Sequence, residues 1–172
     1  MLPEGQSLRC ILGSDYASLN QRAQQAGVDL ALFDRFAPWM VATTLLQIEL
    51  TKRGFSPELG IEQVLARRAA GDGKSIQGLE TSVQQLGILA GMPMPMQKHF
   101  LRMTLDESTQ LDQEIGALVG AWKAGDTVAL AGLLSDEFDE FPDLYRRLTV
   151  DRNRAAERRL RIVEHDRRRV RL

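Results

Sequence analysis

With 172 residues, 44% of them hydrophobic and 26% charged, the chain has the apolar mass for a real core. One domain, or two very small ones, is expected, and both a disordered and a membrane-filling composition are excluded. A single cysteine, Cys10, rules out an internal disulfide and any cysteine-rich zinc site, and its expected place is as a small buried hydrophobe. The net charge of −1 hides an asymmetry: residues 1–150 carry 13 basic against 19 acidic side chains, whereas residues 151–172 carry nine arginines against four acids.

Met1 is followed by Leu-Pro-Glu-Gly-Gln, with neither a basic nor an apolar leader region. The sequence as written therefore predicts a cytoplasmic chain, without a secretion signal or a transmembrane segment. After an irregular lead-in to Leu8, Ser14-Asp15 caps a helix over Tyr16 to Gln25, with Leu19 and Ala23 on one face. Asp29 starts a short helix through Leu30 and Phe33. Pro38 then opens a helix that is apolar over most of its circumference, through Trp39, Val41, Leu45 and Ile48, and Gly54 ends it. Pro57 and Glu58 start the next helical stretch, through Ile61, Val64 and Leu65, which stops at the turn Gly71-Asp-Gly73.

The stretch Lys74 to Leu86 changes character. Ser75 to Gln77 has room for a short strand, Gly78 permits a tight turn, and Glu80 stands where strand would become helix. Thr81 or Ser82 can cap that helix, with Gln84 or Gln85 completing a capping box. A carboxylate in this position either favours the helix N-terminus electrostatically or serves chemistry in a crevice. Gly91-Met-Pro-Met-Pro95 breaks the chain, and a helix is expected from about Lys98 to Ala124. Its stripe is Leu101, Leu105, Leu111, Ile115, Leu118 and Trp122; Asp106, Glu107, Asp112 and Glu114 lie off it, towards water. Gly125-Asp126 closes this helix and caps the next, over Thr127 to Leu134. An acidic loop, Asp136 to Asp143, precedes a helix opened by Pro142, and from Val150 an increasingly arginine-rich helix ends the chain.

Metal chemistry finds little to build on. His99 and His165 are the only histidines, 66 residues apart, and no P-loop, dinucleotide fingerprint or Gly-x-Ser-x-Gly elbow occurs. Met92, Met94 and Met96 suit either a soft binding surface or the filling of a gap between helices. The acidic loop lacks the alternating ligands of a calcium loop. The arginine-rich end lacks stacking aromatics and is interrupted by Glu157, Glu164 and Asp166, which argues against specific nucleic-acid binding and for docking onto an acidic body, its own or another copy's.

Five segments in order carry a resemblance: Phe36-Ala-Pro-Trp-Met40, the helix to Gly54-Phe-Ser-Pro-Glu-Leu-Gly60, Gly78-Leu-Glu-Thr81 with Gln84-Gln85-Leu86, Trp122-Lys-Ala-Gly-Asp126, and Leu148 to Arg152-Asn153-Arg154. This succession resembles the middle of the TraB/GumN family, relatives of the Tiki proteins. Complete members resemble metal-dependent hydrolases in which two Gly-x-x-His motifs supply metal-site histidines. Many are exported or membrane-associated bacterial proteins, and the GumN branch takes its name from a xanthan exopolysaccharide cluster. Neither Gly-x-x-His motif is present here.

The resemblance thus implies a mainly α fold, the helical middle of a truncated α/β domain with at most one or two short strands. Residues 1–154 would form this region, and 155–172 an arginine-rich tail, divergent or altered in frame. It implies Glu80 as an active-site carboxylate, Arg152 as the residue orienting it and Asn153 as a neighbouring hydrogen-bonder, unless Glu80 and Arg152 simply form an ion pair. No cofactor is expected in this chain, against a divalent metal in complete relatives. The expected function is a remnant of a hydrolase related to exopolysaccharide or surface functions, inactive alone, or else a non-catalytic helical interaction module. Apolar helix faces left uncovered predict a homo-oligomer.

Overall fold

The computed structural model describes residues 1–106, 111–136 and 142–169. These are mainly α, with no strand among the described residues. The helices are α1 (Leu8–Leu12), α2 (Tyr16–Gln25), α3 (Pro38–Lys52), α4 (Ile61–Gly71), α5 (Ser82–Ala90), α6 (Met94–Asp106), α7 (Leu111–Ala124), α8 (Thr127–Asp136), α9 (Pro142–Tyr145) and α10 (Arg152–Arg169). Between α9 and α10 the chain runs as a π-helical turn over Arg146–Asp151. The chain divides into two compact units, Met1–Ile76 with Met92–Gln113, and Gln77–Gly91 with Glu114–Leu172.

The first unit is built on α3. Pro38 occupies its first turn, and Trp39, Val41, Ala42 and Leu45 are buried. The helix packs against α6, which also meets α2. Leu8, Leu12, Leu19, Ala23, Leu30, Leu101 and Leu105 join the same core. Burying each large aliphatic side chain contributes about 1.5–3 kcal/mol. Polar ties close the edges: Asn20 accepts from the Leu30 amide at 2.8 Å, Arg102 pairs with Asp15 at 2.6 Å, and Arg22 pairs with Asp106. Met92 is buried beside this core, as the gap-filling reading of the methionines requires, and the buried Gln97 donates to its carbonyl at 2.8 Å. His99 is half-buried on α6.

Several expectations change. The lead-in is not wholly irregular, because the Ser7 side chain accepts from the Cys10 amide and starts α1. That helix turns Leu8 and Leu12 inward, which leaves Cys10 exposed and not buried. Asp15 makes no cap hydrogen bond to α2, since the chain enters that helix already helical. α6 begins at Met94, with Pro95 tolerated in its first turn, earlier than the prolines led one to expect. The expected stripe is buried at Leu101 and Leu105 but only half-buried from Leu111 to Leu118, and Trp122 is exposed. Glu107 and residues 137–141 of the acidic loop lie outside the described residues.

The second unit holds α5, most of α7, α8, α9, the π turn and α10. Outside residues 135–141, 144 and 163–172, none of its residues is buried. Asp126 accepts from the Ala129 amide at 2.9 Å and so caps α8, as its sequence predicts. Through Ile162 the arginines of α10 are exposed, and Arg161 pairs with Glu157 one turn away at 2.6 Å.

Candidate active-site cleft

The residues between Gly73 and Thr81 do not form the expected strand. A lone strand has no ladder partner for its backbone groups, and Ile76 projects into solvent. What does form is the helix start. Thr81 accepts from the Gln84 amide at 3.2 Å, and the Gln84 side chain accepts from the Thr81 amide at 2.8 Å, a complete capping box. Glu80 is thereby held one residue ahead of the N-cap of α5, where the helix dipole favours its negative charge.

Arg152, at the first position of α10, reaches this carboxylate. Its Nε donates to both Glu80 oxygens, at 3.0 and 2.9 Å, and its Nη2 donates to Oε1 as well. The Glu80 side chain is 27% exposed and that of Arg152 40%. The forked contact holds the Glu80 carboxyl below the usual carboxylate range, chiefly through the guanidinium hydrogen bonds, while partial desolvation opposes this. Arg152 is correspondingly raised.

The pair lies in a cleft of about 670 Å³ within the second unit. Asn153, Asp151, Arg147 and Gln84 supply its polar lining, and Leu79, Ile88, Ala155 and Ala156 its apolar lining. All three residues singled out from the resemblance therefore line one cleft. Sequence reasoning missed Arg147, whose Nη1 donates to the Gly91 carbonyl at 3.2 Å, just past the end of α5. Its only signal was the Arg146-Arg147 pair itself, which reads as ordinary surface charge.

The cleft does not fit a divalent metal with the residues it has. Glu80 is already chelated by a guanidinium, a second guanidinium lies nearby on Arg147, and Asp151 is the remaining carboxylate. Among the described residues no three His, Cys, Asp or Glu side chains come together as a ligand set. What the arrangement can do is present an ionised carboxylate, a guanidinium and an amide to a polar ligand.

The TraB/PrgY/gumN family model matches residues 1–169, almost the whole chain and well past Arg154. The chain belongs to the TraB/PrgY/gumN family. Neither the curated proteins nor the solved structures give a match. Among the described residues no helix is long and apolar enough to cross a membrane.

Proposed function

We propose that this chain is the helical part of a hydrolase of the TraB/GumN type, in which Glu80, Arg152 and Asn153 form one wall of the cleft. By itself the chain does not hydrolyse. The observation that carries this reading is the forked Glu80–Arg152 contact. A general base works best with a pKa near the operating pH, whereas the guanidinium pushes Glu80 the other way. Glu80 therefore stays ionised and orients or anchors, and it is a weak proton acceptor at neutral pH. The biological setting we propose, on the family resemblance, is exopolysaccharide or surface-related.

A peptidase assay on the purified chain, with and without added zinc, manganese or cobalt, tests this. Turnover indistinguishable from the Glu80→Gln control is expected. Metal-stimulated turnover that Glu80→Gln abolishes would sink the claim of inactivity.

A second reading, a non-catalytic interaction module that self-associates, is favoured by one surface. Leu59, Ile61, Val64 and Leu65 are exposed in and just before α4, a run of a kind that tends to be covered. Light scattering at micromolar concentration should then report a dimer or larger species, and a monomer counts against it.

A further inference from the structure

The cleft is lined by residues five apart on one helical run, Arg147 and Arg152. They grip the two ends of the nine-residue α5: Arg152 holds Glu80 ahead of its N-terminus, and Arg147 holds the Gly91 carbonyl behind its C-terminus. In an α-helix, at 3.6 residues per turn, positions five apart are rotated about 140° from each other, so the two arginines would not share a face. A turn closed on the fifth residue brings them back onto nearly one face. The π turn Arg146–Asp151 holds Arg147 as its second residue and ends immediately before Arg152.

Within that turn the Thr149 hydroxyl donates to the Tyr145 carbonyl, four residues back. Thr44, Thr51 and Thr104 make the same bond to the fourth residue back within α3 and α6, where the carbonyl also receives the amide of that fourth residue; in a π turn the amide bond shifts to the fifth, which leaves the hydroxyl as the fourth residue's link to it. The Arg152 amide bonds the Thr149 carbonyl, so Thr149 also anchors the step from the π turn into α10.

We infer that the π turn is the positioning element of the Glu80 cleft, and that Thr149 is the positioning residue that holds it wide. Thr149 is not among the residues that line the cleft and acts through Arg147 and Arg152. The inference rests on the cleft described above but not on hydrolysis, so the test reads the ionisation of Glu80 and not turnover.

Thr149→Val removes the hydroxyl at nearly constant shape, and Thr149→Ser keeps it. The Glu80 carboxyl is titrated by carbon-13 NMR in each, with helicity checked by circular dichroism. In Thr149→Val the Glu80 midpoint should rise to the ordinary carboxylate range and the Arg152 Nε proton should exchange faster; Thr149→Ser should match the wild type. A helical Thr149→Val with the wild-type midpoint overturns the inference, as does a Thr149→Ser that shifts equally. Should Thr149→Val fail to fold, the wild type decides. Proton contacts between positions 145 and 150 typical of i→i+5 bonding support the inference, and an unbroken i→i+4 pattern over residues 145–152 refutes it.

Discussion

The two units are held together by different physics. In the first, α3 and α6 share a core of fully buried aliphatic side chains, among them Leu30, Val41 and Leu101. In the second no residue is buried outside 135–141, 144 and 163–172, and the ties are polar: the Thr81–Gln84 box, the Glu80–Arg152 fork, the Arg147–Gly91 bond and the Asp126 cap. Hydrophobic burial is long-lived under changes of salt and pH, whereas exposed ion pairs are screened by water and contribute little singly. The candidate cleft thus sits in the unit that opens more easily, as is usual for regions that bind or change shape.

That contrast can be broken from either side. The largest effect belongs to the first unit: Leu101→Ala should cost about 2–5 kcal/mol in thermal or denaturant unfolding, because it leaves a cavity where α6 meets the core. A cost under about 1 kcal/mol would mean that Leu101 is not central to the core of the first unit. In the second unit the sharpest steric constraint is at Gly91, where an added Cβ would lie 2.9 Å from the Gly87 carbonyl. Gly91→Ala should cost about 1–3 kcal/mol through that forced shift, and amide exchange along α5 should quicken.

The smallest effect is electrostatic and concerns acid. Glu80 is depressed below its ordinary value of 4.5, so its pairing stabilises fully above that pH and is lost as pH falls through the lowered value. Circular dichroism from pH 6 downward should show helix loss starting below about 4.5 in the wild type. The loss should be shallower in Glu80→Gln, which has no carboxyl there to protonate. Equal acid profiles would show that the other lowered carboxyls dominate instead: Glu49, beside Lys52 and Arg53 in the first unit, or Glu157, beside Arg161 in the second.

Much of the fold was legible because helix ends announce themselves. Pro38 at a first turn, Thr81 with Gln84, and Gly125-Asp126 all act through local hydrogen bonds or backbone freedom, and each stands where the sequence put it. The mainly α class followed from the same signals. The strand at Ser75 to Gln77 failed because strands are stabilised by neighbours, which local pattern cannot supply. Glu80 stood out at the start of its helix, but its pairing with Arg152 came from the resemblance, since 72 residues separate them and nothing in their spacing links them. The π turn was invisible for another reason: no residue pattern marks one, and a threonine before a valine is unremarkable in any helix. Arg147 was missed for want of that turn.

The two tryptophans divide between the units. Trp39 is 9% exposed beside the α3 core, and Trp122 is 65% exposed on α7. An indole shielded from water emits at shorter wavelength and resists acrylamide, whereas an exposed one is red-shifted and readily quenched. The chain therefore carries its own pair of optical reporters. In a Trp122→Phe background the remaining emission follows the aliphatic core alone, and in Trp39→Phe it follows the half that holds the cleft, so the order in which the two halves open can be read without any added label.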